Sequence, residues 1–241
     1  MQILPTLIII FFAIFTQSLA GFGSGLVSMA FLPGILGVRT AVPLVSLVTG
    51  SVEFFLLIRY RAAFNPRAVG RLVVTSIFAI PIGVWALRQF DEKWLLAVLG
   101  VVMAGYALYA LLNFRLPRLE NPAWAYLAGF LAGLLSGAYS VGGPPAIIYG
   151  TCRGWKPAEF KSNLQGLFLI NDILAVASHA VVGNLTPQVW TGYLAALPVL
   201  ALGILAGASL DRWLDPLVFR KIVLILLVIM GLRMLLSAVL S

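Results

Sequence analysis

Two clusters of small residues interrupt long apolar runs, and they are where this chain can do chemistry. One is Gly21-Phe22-Gly23-Ser24-Gly25, preceded by Gln17 and Ser18. The other is Ser136-Gly137-Ala138-Tyr139-Ser140-Val141-Gly142-Gly143-Pro144-Pro145. Non-helical backbone at membrane depth leaves N–H and C=O groups that only protein or a water-filled cavity can satisfy. Two such breaks in equivalent positions of two halves point to a transporter's binding site. Gly lets backbone approach a ligand closely, and a helix starting after the break aims free N–H groups and its positive dipole end at that ligand. Ser18, Ser24, Ser136 and Ser140 add hydroxyl donors. The chemistry that fits is recognition of a small oxyanion. The rival reading is close helix packing through small residues. Two breaks in register, one with Pro144-Pro145 placed for a helix's first turn, weigh against it.

Ionisable groups inside apolar runs are the second signal, because each is costly and needs a reason. Glu53 and Asp172 each lie about twelve residues into such a run. Either they couple transport to protons or gate it, or they make structural hydrogen bonds. Beside an anion a carboxylate repels, which favours gating over direct contact. His179 lies seven residues beyond Asp172, on the same helix face, and is either a proton relay or a packed hydrogen-bonding group. Asn163, Gln165 and Asn171 form a polar stripe, joined by Gln17. Amides bind oxyanions and glue helices equally well.

Other chemistries lack their residues. His179 is the only histidine, so no zinc-protease set exists, and neither Gly-x-Ser-x-Gly nor a P-loop occurs. No enzyme activity, metal or cofactor is expected. The single cysteine, Cys152, permits no intrachain disulfide and reads as a small packed residue.

The surrounding elements must be membrane helices. Of 241 residues, 61% are hydrophobic and 10% charged, and mean hydropathy is +1.04. A soluble domain carries about 25% charged residues. Eight apolar runs emerge: Ile3 to Leu36 with the first break, Ala41 to Ile58, Val69 to Leu87, Trp94 to Leu112, Ala123 to Cys152 with the second break, Phe160 to Val182, Val189 to Leu210, and Leu217 to Leu240. The start could pass for a signal peptide cleaved after Ser18-Leu19-Ala20, but no positive charge precedes it and its pattern recurs in the second half. The net charge of +8 lies mostly in short gaps between runs, where basic residues set topology, so no nucleic-acid partner is expected. Trp85, Trp94, Trp124, Trp155, Trp190 and Trp213 sit near run ends, as an interfacial belt does.

The halves match segment by segment at an offset near 118–120 residues: the breaks, basic turns at Arg39 and Lys156, Glu53 against Asp172, Asn65-Pro66 against Asn184-Leu185-Thr186-Pro187, and Gly83 against Gly203. The expected organisation is a first membrane repeat over 1–113, a cytoplasmic linker over 114–122 and a second repeat over 123–241. Charge bears on orientation. If each broken run dives and returns, Arg59, Arg61, Arg67, Arg71, Arg115, Arg118, Arg153, Lys156, Lys161, Arg212, Arg220 and Lys221 fall on one side. Only Arg39, Arg88 and Lys93 fall on the other, with Arg233 inside the last helix. The positive-inside rule then favours an all-α fold of two inverted repeats. Each repeat has a Gly-broken first segment, re-entrant or a short hairpin, followed by three transmembrane helices, and both termini lie outside.

From Ser136 to Pro145, followed by Lys161-Ser162-Asn163 and Asn171, the chain resembles the TauE/SafE family of sulfite-exporter-like permeases. Family members carry a longer glycine run before proline; here Pro144 cuts it short, and Ser24 replaces a glycine in the first half. The resemblance implies transport, usually export, of small sulfur-containing anions such as sulfite or organosulfonates across a bacterial inner membrane. The candidate substrate site, drawn from the two breaks and the polar stripe, comprises Gln17, Ser18, Gly21, Gly23, Ser24, Gly25, Ser136, Tyr139, Ser140, Gly142, Gly143, Pro144, Asn163 and Asn171. Glu53, Asp172 and His179 are left for coupling or gating. The expected partners are the anion and the lipid bilayer, with a homo-oligomer left open. Export of a monoanion from a negative interior gains about 2.3 kcal/mol per 100 mV, so uniport suffices; import would need protons or Na⁺. An anion channel remains the alternative to a carrier.

Overall fold

Glycine and proline punctuate the chain, and the helices follow them. The structure, a computed structural model, describes residues 2–112, 117–210 and 216–240. Arg115, Arg212 and Trp213, named above for charge and belt, lie outside the described residues, as does part of the expected linker. The first half contains α1 (Ile3–Ala20), α2 (Ser24–Phe31), the single turn α3 (Pro33–Leu36), α4 (Val38–Tyr60), α5 (Pro66–Gln89) and α6 (Glu92–Leu111). The second contains α7 (Ala123–Tyr139), α8 (Gly143–Cys152), α9 (Pro157–Val181), α10 (Pro187–Leu210) and α11 (Pro216–Leu240). No strand occurs among the described residues.

The helix ends have visible causes. α1 stops where Gly21 turns left-handed, with φ 82°. Proline opens α5, α9 and α10, where its missing N–H costs nothing. The Asn65 side chain caps α5 by accepting from the Ala68 N–H at 3.2 Å. α7 stops at Ser140, which takes the left-handed conformation (φ 53°) that side chains rarely adopt.

Seven helices are long and apolar enough to cross a membrane: α1, α4, α5, α6, α9, α10 and α11. α7, at 17 residues, is somewhat shorter. Phe12, Phe78, Trp85, Leu205 and Ile229 all project from the outer surface. Water would penalise such a surface heavily, whereas acyl chains do not. The protein is a multi-pass membrane protein. Trp85, Trp94, Trp124 and Trp190 are exposed among these apolar faces, while Trp155 is partly buried against Tyr149 and Phe160.

Small residues decide which helices meet. On α7, Gly129, Gly133 and Gly137 lie against Leu72, Ser76 and Ile80 of α5. Both series advance by four, so the two helices run parallel at near-backbone contact. On α10, Gly203 and Gly207 lie on Ile14 and Ser18 of α1, again in parallel. Gly100 of α6 and Gly231 of α11 rest on each other's backbone. This is small-xxx-small packing, which lets dispersion contacts accumulate where lipid removes the hydrophobic drive. At the centre α4 and α9 run antiparallel. The Asn65 N–H beyond the end of α4 donates to Asn163 Oδ1 near the start of α9 at 2.9 Å. Thr49 meets Asp172 at mid-helix. At the opposite end Arg88 donates to the Val182 carbonyl (2.8 Å), and Arg39 donates to the Arg88 carbonyl (3.2 Å).

Because the α5–α7 contact has no spare volume, Gly133→Val is expected to cost about 1–3 kcal/mol through overpacking. The thermal midpoint in detergent checks this. A midpoint equal to wild type would show that the helices separate more easily than their contact implies.

Candidate functional site

The tips of the two breaks touch. A Cβ on Gly25 would overlap the Ser140 carbonyl oxygen, so only glycine permits this approach. Around that contact lies a cavity lined from six helices and both breaks. Gln17 comes from α1; Phe22 and Gly23 from the first break; Ser24, Gly25 and Leu26 from α2. Thr49 and Glu53 come from α4, Ser136 from α7, and Phe168 and Asp172 from α9. Ser140, Val141, Gly142 and Gly143 complete the wall. The space open to the centre of a water-sized sphere is about 30 Å³, enough for roughly two waters.

Donors converge on this space from two helix starts. In α2 the Ser24 N–H donates to Gln17 Oε1 at 3.1 Å, and the Ser24 hydroxyl donates to the same oxygen. Gly25 and Leu26 follow in the first turn, where N–H groups lack intrahelical acceptors. In α8, Pro144 and Pro145 occupy the first turn and supply no N–H, so that side is limited to the Gly142 and Gly143 amides and the Ser136 hydroxyl. Gln17 is itself held: its Nε2 donates to Gln165 Oε1 at 3.2 Å, and Gln165 Nε2 donates to the Gly21 carbonyl at 2.6 Å. Ser140 is fixed by donating to the Val42 carbonyl at 3.0 Å and by a hydroxyl contact with Ser46.

Acceptors line the facing wall. Glu53 and Asp172 are neighbours, 4% and 5% exposed. Thr49 donates its hydroxyl to Asp172 Oδ2, whereas Glu53 Oε2 has no hydrogen-bond partner among the described residues. A buried, unpartnered carboxylate oxygen is expensive to maintain.

Of the residues named from sequence, Gln17, Gly23, Ser24, Gly25, Ser136, Ser140, Gly142, Gly143, Glu53 and Asp172 meet at this cavity. Others sit close by without lining it. Asn171 donates to Ser136 Oγ at 3.4 Å, and Gly21 lends its carbonyl to Gln165. Pro144 sits in the first turn of α8. Ser18 turns away and donates to the Ile204 carbonyl of α10 at 3.1 Å. Tyr139 lines a separate apolar recess with Phe90 and Trp94. Asn163 braces the α4–α5 turn. His179 shares a 3.0 Å hydrogen bond with Asn184 at the end of α9, far along the helix from Asp172. Thr49, Ser46, Phe22 and Phe168 were not singled out from sequence. Ser46, Thr49 and Glu53 are spaced three and four apart and so share a helix face, which is the signal that could have found the first two.

Known proteins carry the same pattern over nearly the whole chain. The family described as "Sulfite exporter TauE/SafE" matches residues 6–234. The chain belongs to the TauE/SafE family. Among its relatives is the "Probable sulfite/organosulfonate exporter TauE" of Cupriavidus necator, 26% identical over 229 residues, covering 92% of this chain and 90% of that protein. The "Probable inner membrane transporter protein TsaS" of Comamonas testosteroni is 25% identical over 170 residues, covering 70% of this chain and 71% of that one. No solved structure matches significantly. The resemblance read from Ser136 to Pro145 is thus confirmed at family level, and TauE/SafE members are membrane transporters.

Proposed function

We propose that this TauE/SafE protein exports small sulfur-containing anions such as sulfite or organosulfonates across a bacterial inner membrane. The anion is held between the two broken segments. The observation that carries the reading is one cavity walled by both breaks at once, with helix-start amides and the Ser136 hydroxyl on one side. Such donors replace a small oxyanion's hydration, and a preformed cavity keeps the cost of ordering them low.

Two repeats, divided near residues 114–122, support this arrangement. α1 pairs with α10 as α7 pairs with α5, while the equivalent helices α4 and α9 run antiparallel. These relations fit a two-fold axis in the membrane plane and hence inverted repeats. Each first segment is re-entrant on this view. The Leu119 N–H before α7 donates to the Cys152 carbonyl at the end of α8 (3.3 Å), so that hairpin returns to its starting side. Both termini then lie outside.

One observation favours a second reading, a proton- or Na⁺-coupled importer. Glu53 and Asp172 face the same cavity, and an anion beside two carboxylates gains from a cation taken up with it. Purified protein in liposomes separates the readings. Export by uniport predicts sulfite flux driven by membrane potential alone, with no response to a pH or Na⁺ gradient. Flux that follows either gradient supports the coupled reading. No flux of sulfite or an organosulfonate above protein-free liposomes removes both.

A further inference from the structure

The Phe22 ring, part of the cavity wall, also carries a cation. Arg220 of α11 sits with its guanidinium carbon 5.4 Å from the ring centroid. Arg220 Nε is buried and has no hydrogen-bond partner among the described residues. Beside it lies Tyr106 of α6, only 4% exposed, whose oxygen faces the Arg220 guanidinium and whose O–H finds no acceptor among the described residues. Next to Phe22, the stem of Lys161 runs along Gly21, 3.1 Å from where a Cβ would be. The Lys161 ammonium lies 5.6 Å and the Arg59 guanidinium 5.7 Å from the Tyr60 ring centroid, at the same end of the molecule. That end also holds Arg153, which donates to the Leu119 carbonyl.

We infer that Arg220 and Tyr106 form a second subsite for the transported oxyanion, separated from the central cavity by Phe22, which acts as a movable partition. The inference rests on the reading that the cavity holds the anion. Buried donors without acceptors are retained where a ligand supplies the acceptor. A guanidinium and a phenol suit an oxyanion: the first gives a forked, charge-assisted pair, and the second gives one further O–H. The surrounding cations raise the local anion concentration at this mouth. While no anion is bound, the cation–π contact holds Arg220 over Phe22. An arriving oxyanion competes for the guanidinium and frees the ring to swing, so loading and opening are linked through one contact. The subsite lies at the basic end, the cytoplasmic face under the positive-inside rule, where an exporter must collect its substrate.

The test measures ³⁵S-sulfite flux from each side of oriented proteoliposomes carrying the full-length protein. Arg220→Gln is expected to raise KM about tenfold for sulfite presented at the basic face with kcat from that face unchanged, and kcat/KM from the opposite face must then fall by the same factor, since a mutation cannot alter the equilibrium across the membrane. Arg220→Lys should recover part of that loss, and Tyr106→Phe should raise the same KM by a smaller factor. Phe22→Ala removes the partition and should give flux that no longer saturates. Wild-type KM from both sides in Arg220→Gln and Tyr106→Phe, with active wild type alongside, overturns the subsite. Flux that still saturates normally in Phe22→Ala overturns the partition. Inactive wild type instead contradicts the central cavity reading. If Arg220→Gln does not fold, Arg220→Lys and Tyr106→Phe decide the matter by the same KM comparison.

Discussion

Gly143→Leu is expected to reduce sulfite flux to the level of protein-free liposomes while the protein stays folded. A Cβ at Gly143 would meet only ordinary contacts, 3.5 Å from Ile147 Cδ1 and 3.8 Å from Phe168 Cζ. The α8 backbone therefore need not move. The remaining leucine carbons have nowhere to go but a cavity of about 30 Å³. Gly25→Val differs, because its Cβ would collide with the Ser140 carbonyl. It should abolish flux too, but by pushing the two tips apart and with a lower thermal midpoint. Flux and thermal midpoint measured on both variants separate occlusion from disruption. Normal flux in Gly143→Leu would mean that the anion does not pass between the breaks.

The second large effect concerns the carboxylates. If Glu53 and Asp172 gate by repulsion, removing one charge must tighten anion binding. A like charge about 4 Å away opposes an anion by roughly 4 kcal/mol at an effective dielectric near 20. Even a fraction of this is tenfold in affinity, at about 1.4 kcal/mol per decade. Asp172→Asn keeps an acceptor for the Thr49 hydroxyl and should lower KM for sulfite at least about tenfold. kcat should fall with it, because release slows. Glu53→Gln should act the same way. An unchanged KM, with loss only of accumulation driven by a pH or Na⁺ gradient, would reject repulsive gating and favour the coupled reading.

The helix ends at Gly21 and Ser140 and the burial of Glu53 and Asp172 were legible in the residues. Glycine and proline break helices in any environment, and an ionisable group in an apolar run stands out against its neighbours. Less legible was which way each side chain faces. Ser18 follows Gln17 by one residue, about 100° around the helix, and that rotation takes it from the cavity to α10. Tyr139 and Ser140 part company in the same way, Tyr139 to an apolar recess and Ser140 to the tip. His179 shares a face with Asp172, yet two turns of helix put it at the molecule's end beside Asn184. Thr49 and Ser46 were overlooked because hydroxyls in membrane helices commonly bond their own backbone, and here they do both: each donates to a carbonyl four residues back and also reaches the site. The series Gly129, Gly133, Gly137 was also passed over, though its spacing of four marks a packing face. Some glycines in this chain thus serve packing and others line the cavity, and only the end of the helix tells them apart.

The most direct measurement is a diffraction experiment on crystals grown with selenite, a heavier relative of sulfite whose selenium scatters anomalously. The account predicts an anomalous peak between the tips, within hydrogen-bonding reach of the Gly25 and Gly143 amides and the Ser136 hydroxyl. No peak there at saturating selenite, or peaks only on the outer surface, would contradict it.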